Sequence, residues 1–239
     1  LLSQLMERVP TLWGNTTTML RFRSSSNAED VLGFTGAGLY ESYSACVADQ
    51  QDADTLGPSQ CDPNKNEEYT TEDALRIVWA SLWNVAAWEE RDWYGMDHLQ
   101  AAMGILVDTQ SENEWANMVA FSKNPLAQDD RMLIEAQSGD LDVVSAEPGV
   151  FPERDFLTLQ NGEVTAIERE SHSSETEIWV VNDAVLKEQG ELLWDISQWF
   201  PQDDPVPEGA TLLWDTEWKV LSGGQLVIKQ IRPYLREDF

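Results

Sequence analysis

The stretch that decides the fold is Leu212–Pro233, LLWDTEWKVLSGGQLVIKQIRP, close to the end of a sequence of 239 residues. It has the pattern of a β-hairpin, with one strand around Leu212–Val220 and a second around Gln225–Arg232. Between them lies Ser222-Gly223-Gly224, and glycine reaches positive φ without steric cost. We therefore predict two antiparallel strands joined by a tight turn.

The two predicted strands carry the polar residues of a candidate phosphate site. Side chains two positions apart on a strand share a face, so Asp215 and Glu217 project together. By the same rule Gln230 and Arg232 project together on the second strand. Carboxylates are hard oxygen ligands for Mg²⁺, and an arginine fork suits phosphoryl oxygens. The alternative is a solvated hairpin face with a cross-strand salt bridge of little energetic weight.

The overall composition restricts the class of protein and its partners. The apolar content of 42% indicates a globular chain with a real core. The net charge of −28, from 43 acidic and 15 basic residues, disfavours nucleic acid and anionic membranes as partners. Both adaptation to high salt and ordinary acidic solubility explain such a charge. No apolar run has the length of a membrane span, and no signal peptide is visible, so we expect a cytoplasmic protein.

The two cysteines leave the compartment open. Cys46 and Cys61 flank a polar stretch, and a bond between them would close a short loop. Such a bond would indicate an oxidising, extracytoplasmic location. Two reduced thiols are the favoured alternative, and they agree with the cytoplasm.

Hydrophobic periodicity predicts an α+β protein with mixed or antiparallel sheets and flanking helices, without regular β-α alternation. One long helix is expected to begin at Thr70 or Thr71 and to end at Gly95, with Trp79, Trp83 and Trp88 in the core. The other predicted elements are helices over residues 1–9, ended by Pro10, and 183–199, and strands over residues 19–22, 101–108, 118–121, 132–135, 156–160 and 177–181.

A second candidate phosphate contact lies near the start of the chain. The predicted strand Met19–Phe22 leads into Arg23 and the polar segment RSSSNAED, which precedes the glycine-rich VLGFTGAGLYESY. A strand that enters a Ser/Gly-rich turn can bring backbone N–H groups to a phosphate, and Arg23 would supply charge there. The segment matches neither the P-loop nor the dinucleotide fingerprint, so an ordinary loop is the alternative.

Four segments, taken together and in this order, resemble one family. RSSSNAEDVLGFTGAGLYESY resembles the RSS…ED…G segment of the ATP-binding domain of pyruvate phosphate dikinase and phosphoenolpyruvate synthase. VWASLWNVAAWEERDWYG resembles the V-W-x-S-x-W…R helix of that family, and ANMVAFSKNP its G-V-x-F-[ST]-x-N-P strand. DTEW…GGQLVIKQIRP is similar to the closing D-x-E…L-x-x-x-Q-x-R-P hairpin. The resemblance extends roughly from Arg21 to Pro233.

The resemblance implies a partial ATP-grasp fold, with approximate subdomains over residues 1–100 and 101–239. ATP would bind between the subdomains, and its β-phosphoryl group would pass to a histidine on a separate swivelling domain. By motif position, Arg23 would contact phosphates, and Asp215 and Glu217 would hold Mg²⁺. Gln230 and Arg232 would bind the phosphates that are transferred, so the implied cofactors are ATP and Mg²⁺.

The sequence also departs from the family pattern. A short segment stands where the family has a phosphate-binding lysine and a glycine-rich strand pair, so we expect that half of the clamp elsewhere in the polypeptide or in a partner chain. Asn117-Met118 replaces the glycine expected before Val119, and the expected G-L-G-E turn is reduced to SGDLDVV near Gly139. Neither His98 nor His172 lies in a phosphohistidine motif.

Two other functional classes therefore stay open. The first is a catalytically inactive module that keeps the fold and binds a partner protein, as the departures and the strong negative charge would allow. The second is a carbohydrate-binding module that uses some of the 11 tryptophans as sugar platforms. Nucleotide binding would distinguish an ATP site from the first, and exposed coplanar indoles in a groove would favour the second.

Overall fold

The structure is a computed structural model that describes residues 1–29, 36, 38–52, 54, 56–110, 114–139, 143, 148–202 and 205–237. The chain divides into two compact units, Leu1–Gln110 and Ser111–Phe239. Both units combine an antiparallel sheet with helices, so the predicted α+β class is confirmed.

The first unit packs helices on a sheet of three strands in the order β2-β1-β3. Leu20 and Phe22 on β1 are fully buried and pack with Val78 of α3, while the alternate residues of β1 face away from this core. The elements of this unit are α1 (Leu2–Trp13), β1 (Leu20–Ser26), β2 (Tyr43–Ala45), α2 (Val47–Gln51), α3 (Thr71–Ser81), α4 (Val85–Trp93) and β3 (Met103–Thr109).

The loop that follows α2 folds back onto the start of that helix. The buried Asp49 holds it there, because its carboxylate accepts hydrogen bonds from the backbone N–H groups of Gln60, at 2.8 Å, and Tyr69, at 2.9 Å. This brings Cys61 beside Cys46, and the two form a disulfide bond. The sequence had favoured reduced thiols, because the return of this loop depends on Asp49 and is not visible in the cysteine spacing.

The second unit is a six-stranded antiparallel sheet in the order β7-β6-β5-β4-β8-β9, covered on one face by α5. The chain forms a four-stranded meander, crosses through α5, and returns beside β4 with the closing hairpin. The elements are β4 (Glu114–Phe121), β5 (Met132–Ser138), β6 (Glu153–Gln160), β7 (Glu163–Ser171), α5 (Asp183–Trp199), β8 (Ala210–Leu221) and β9 (Leu226–Glu237).

The core of the second unit lies between α5 and one face of this sheet. Met118 and Trp218 are each 1% exposed and pack there with Leu186 and Leu193 of the helix. Met118 is the residue that stands directly before Val119, where the family pattern has glycine, and here it fills the core. Because side chains alternate along a strand, the residues flanking these on β4 and β8 project to the opposite, helix-free face.

The first long helix predicted from the sequence is two helices, α3 and α4, separated at residues 82–84. Arg91 of α4 is fully buried, and its guanidinium donates a hydrogen bond of 2.6 Å to the carbonyl of Leu82. With Arg91 on the inner side, Trp79, Trp83 and Trp88 are 41, 50 and 43% exposed, so their predicted core positions were wrong. The planes of Trp83 and Trp88 are tilted by 38°, and this pair does not form the coplanar platform of a sugar site.

Several other predicted boundaries also differ from the observed ones. Pro10 lies inside α1 and does not end it, and β1 continues through Ser26. The strand predicted over residues 101–108 is observed as β3 (Met103–Thr109). Its residues alternate between half-buried and exposed, so it is not a buried strand. The predicted strand 177–181 is a series of bends, while the true partner of β6 is β7. The signal for that hairpin was Asn161-Gly162, whose φ angles of 54° and 86° suit a tight turn.

The helices are short and amphipathic. In the parts of the chain that the structure describes, none combines the length and the apolar character needed to span a bilayer.

Candidate functional site

The closing hairpin forms as predicted, and it brings four of the five predicted site residues together. In its antiparallel register Asp215 lies opposite Arg232, and Glu217 lies opposite Gln230. All four belong to the helix-free face of the sheet. Thr216, which lies between Asp215 and Glu217 on β8, projects to the core side. Its hydroxyl donates a 2.7 Å hydrogen bond to the carbonyl of Ala120 on β4.

Arg232 joins the two acidic side chains of β8. Its Nε donates a hydrogen bond to Asp215 Oδ2 at 2.7 Å, and its Nη2 donates to Glu217 Oε1 at 3.3 Å. The side chains of Asp215 and Arg232 are 10 and 7% exposed, while Glu217 is 27% exposed. The guanidinium therefore lies at the bottom of the site, and the Glu217 carboxylate is the most accessible of these three groups.

A β-bulge adds a residue to this face that the sequence did not predict. The pairing of β8 with β9 shifts between Glu217 and Trp218, which are paired with Gln230 and Ile228, so Lys229 is the extra residue on β9. Strict alternation would place Lys229 on the face opposite to Gln230. Instead its Nζ lies 4.0 Å from Glu217 Oε2, on the same side as Arg232.

The polar contacts continue from the hairpin onto β4. Lys229 Nζ donates a hydrogen bond of 3.4 Å to Asn117 Oδ1, which crosses above β8 to reach the next strand. Asn117 Nδ2 in turn donates to Glu114 Oε2 at 3.2 Å and to the carbonyl of Gly139 at 3.1 Å. Lys219 Nζ lies 3.7 Å from Glu114 Oε1. We call this connected set the hairpin cluster; its members are Glu114, Asn117, Asp215, Glu217, Lys219, Lys229 and Arg232.

The hairpin cluster is electrically balanced although the chain is strongly acidic. Its three carboxylates are matched by three cationic side chains, in a chain with 43 acidic and 15 basic residues. A polyanion approaching any average part of this surface would meet repulsion. At the hairpin cluster it would meet guanidinium and ammonium donors.

Arg23 belongs to the first unit. It lies on β1 opposite Leu106 of β3, on the outer face of the three-stranded sheet, and is half-buried. The sequence placed it at the mouth of a turn, but it lies within the strand, because β1 extends beyond Phe22 through Ser26. Within the described residues no carboxylate forms an ion pair with Arg23. The glycine-rich segment that follows and most of SGDLDVV lie outside the described residues.

Both histidines stack on tryptophan side chains. The imidazole of His98 stacks on Trp88 with ring centroids 3.5 Å apart and accepts a 3.4 Å hydrogen bond from Arg91. The imidazole of His172 stacks on Trp179 at 3.6 Å. The sequence did not predict either of these contacts.

The chemistry of the hairpin cluster fits a magnesium ion that is shared with a ligand. Mg²⁺ is usually bound by one or two carboxylates together with water and substrate phosphates. Asp215 and Glu217 supply that number of carboxylates. Among the described residues no group of three or more His, Cys, Asp or Glu side chains could form a complete protein site for a metal. A metal at this place would therefore depend on ligand oxygens.

A second pair of acidic residues lies on the helix-covered side of the same sheet. Glu153 and Asp155 of β6 are both fully buried, and Arg169 of β7 lies within 3.0 Å of Glu153 and 3.4 Å of Asp155. Arg169 also donates to Asp183 Oδ1 at 2.6 Å. Burial, reinforced by the nearby charge of Glu153, raises the pKa of Asp155 to about 8. We call Glu153, Asp155, Arg169 and Asp183 the helix-side cluster.

Comparison with known proteins identifies a family for the chain. No curated protein matches the chain. A family profile described as pyruvate phosphate dikinase, AMP/ATP-binding domain, matches residues 3–238. This match includes both units and every residue of both clusters. The chain belongs to this pyruvate phosphate dikinase AMP/ATP-binding domain family, and it is an ATP-binding module of the dikinase type.

Proposed function

We propose that the hairpin cluster binds the phosphates of ATP together with Mg²⁺. The observation that carries this proposal is the position of Arg232, opposite Asp215 and within 3.3 Å of Glu217 on one face. A guanidinium between two carboxylates can bind phosphoryl oxygens while the carboxylates share a metal. Arg232 and Lys229 supply positive charge at this place in a chain whose net charge is −28.

Each polar residue of the hairpin has a separate role in this proposal. Asp215 and Glu217 hold Mg²⁺, which neutralises phosphate charge when it is bound. Arg232 and Gln230 contact the phosphoryl groups that are transferred, because both project from β9 towards the same side. Arg23 contacts phosphates from the first unit, since it has no carboxylate partner among the described residues.

A histidine on a separate swivelling domain then attacks the β-phosphorus of ATP, the bond between the α- and β-phosphates breaks and AMP leaves, and water releases the γ-phosphate as inorganic phosphate. The stacking of His98 and His172 on indoles supports an acceptor outside this chain segment. The contribution of the present residues is to bind and orient the phosphates and to stabilise their charge, which is the main protein contribution in phosphoryl transfer. Transfer of label from ATP labelled at the β-phosphate to a supplied histidine domain tests this step.

Calorimetric titration of ATP, with and without Mg²⁺, tests the binding site. We expect saturable, Mg²⁺-dependent binding by the wild-type chain, and a loss of about 100-fold in affinity for Arg232→Met. Arg131→Met is the matched control, because Arg131 also pairs with two carboxylates, Asp129 and Glu168, at the other end of the sheet. Affinity in this control should stay within about twofold. Equal binding by Arg232→Met and the control would overturn the assignment of Arg232.

An inactive binding module is the second candidate, and one observation favours it. Asp215 and Glu217 both pair with Arg232, so these charged groups already have partners without a ligand. This candidate predicts no nucleotide binding under any salt or Mg²⁺ condition, together with a stable assembly with another protein. The same titration distinguishes the two candidates.

A further inference from the structure

We propose that Lys229 is a further phosphate-binding residue of the nucleotide site and contributes to its preference for a polyphosphate chain. This inference rests on the proposed function and adds a residue to it. The bulge at Glu217/Trp218 places Lys229 on the site face, and that placement is specific to the observed strand register.

The position of the Lys229 ammonium suits a phosphate ligand. Its Nζ and the guanidinium of Arg232 approach the two different oxygens of Glu217, at 4.0 and 3.3 Å. Two cations that flank one carboxylate can contact neighbouring phosphoryl groups of the same chain. Mg²⁺ bound at Glu217 would compete with Lys229 and Arg232 for that carboxylate. Both cationic side chains would then be available to the phosphates.

The contacts of Lys229 leave most of its hydrogen-bonding capacity for a ligand. An ammonium group carries three donors. In the described parts of the chain, one acceptor lies within hydrogen-bonding distance of Nζ, Asn117 Oδ1 at 3.4 Å, and the 4.0 Å contact with Glu217 is too long to be a hydrogen bond. The side chain is 25% exposed, so a ligand can reach it.

Asn117 has a positioning role for this lysine. Its amide nitrogen is fixed by the carbonyl of Gly139 and the carboxylate of Glu114, which turns its carbonyl oxygen towards Lys229. The neutral amide thus holds the ammonium above β8 and leaves its charge intact. A carboxylate at the same place would neutralise that charge. Asn117 belongs to the pair Asn117-Met118, which replaces the glycine expected from the family pattern. The hydrogen bond to Lys229 is therefore a consequence of this difference from the family pattern.

The first test compares Lys229→Met with Lys187→Met by calorimetric titration of ATP, ADP and AMP, each with Mg²⁺. Lys187 lies on α5, on the other side of the sheet, and its removal changes the net charge by the same amount. We expect Lys229→Met to weaken ATP binding about tenfold and AMP binding less than twofold, because the lost contact is to the phosphate chain. Lys187→Met should bind all three nucleotides like the wild type.

Two further measurements separate a direct contact from disturbed folding. Lys229→Arg keeps the charge and should restore at least half of the lost binding free energy. Chemical denaturation of Lys229→Met should give a free energy of unfolding within about 1 kcal/mol of the wild type, because Lys229 is partly exposed, whereas a disturbed fold would lose more stability. ATP binding by Lys229→Met within twofold of the wild type, or equal weakening of ATP and AMP, would overturn the inference. Absence of nucleotide binding in the wild type would instead overturn the proposed function.

Discussion

The hairpin cluster and the helix-side cluster are built from the same local pattern, at opposite ends and on opposite faces of one sheet. Each has two acidic residues two positions apart on a strand, Asp215 and Glu217 on β8 or Glu153 and Asp155 on β6. Each has one arginine on the neighbouring edge strand, directly opposite an aspartate in register. Sequence spacing alone would assign both clusters the same role.

The two clusters differ in what surrounds the carboxylates. Both carboxylates of the helix-side cluster are fully buried, and Glu153 also accepts hydrogen bonds from the backbone N–H groups of Val180 and Val181. Arg169 donates to the carbonyl of Val181 at 3.0 Å. These bonds attach the segment before α5 to the sheet. The Glu217 carboxylate, by contrast, is partly exposed and lies beside the ammonium group of Lys229. Enclosure by backbone groups indicates a structural role, and access indicates a ligand site.

Replacement of Arg169 should cause the largest loss of stability that we expect. Arg169→Met leaves the buried Glu153 carboxylate without its cation, so the free energy of unfolding should fall by about 3–5 kcal/mol. Chemical denaturation monitored by tryptophan fluorescence measures this. Arg154→Met is the control, since Arg154 also pairs with a carboxylate, Glu135, but is 37% exposed. A similar small loss of stability in both variants would show that the helix-side cluster is not structural.

The protonation of Asp155 should give the helix-side cluster a characteristic pH dependence. The native carboxyl group keeps its proton up to about pH 8, whereas the unfolded one loses it near 3.8. Between these values the native state binds more protons, so stability should fall as the pH rises, by up to about 1.4 kcal/mol per unit. Asp155→Asn imitates the protonated form and should lack this component.

Denaturation of the wild type and Asp155→Asn at pH 5, 6, 7 and 8 measures the difference. The stability of the variant relative to the wild type should increase steadily across this range. Asp195→Asn on α5 is a control for the loss of one acidic group. A constant difference between the wild type and Asp155→Asn would mean that Asp155 is ionised throughout and that Arg169 compensates its burial.

The hairpin cluster should respond to the loss of a carboxylate through metal binding rather than through stability. Glu217→Gln keeps the shape of the side chain but removes a hard charged ligand, so Mg²⁺-dependent ATP affinity should fall about tenfold. The free energy of unfolding should change by less than about 1 kcal/mol, because Glu217 is partly exposed. Glu135→Gln, on the same face and paired with Arg154, should leave ATP affinity unchanged. If Mg²⁺ raises ATP affinity equally in the wild type and Glu217→Gln, then Glu217 is not a metal ligand.

The hairpin and its four polar residues were predictable because turn chemistry and two-residue alternation are local rules. Gly223 and Gly224 both have positive φ, and the two strands form the antiparallel hairpin that was predicted. The α+β class and the helix over residues 183–199 followed in the same way from periodicity. These features depend on contacts between residues close in sequence.

The features that were missed depend on a single residue or on distant partners. One extra residue in the β8/β9 pairing moves Lys229 to the site face, and no composition signal marks such a bulge. The outward position of Trp79 and Trp83 follows from the break after Ser81 and the burial of Arg91. The helix-side cluster could not be anticipated, because its arginine lies on β7, where the sequence predicted no strand.

A third buried polar side chain sharpens the comparison, because it lacks the compensation that both clusters have. Gln189 of α5 is fully buried against the sheet, and among the described residues neither end of its amide has a hydrogen-bond partner. Gln189→Met keeps the length of the side chain and removes the uncompensated polar atoms, so the free energy of unfolding should rise by about 1 kcal/mol. Gln198→Met at an exposed position of the same helix should change it by less than about 0.5 kcal/mol. A loss of stability in Gln189→Met would show that the buried amide is hydrogen-bonded. Burial would then still distinguish the two clusters, and the core between them would contain no uncompensated amide.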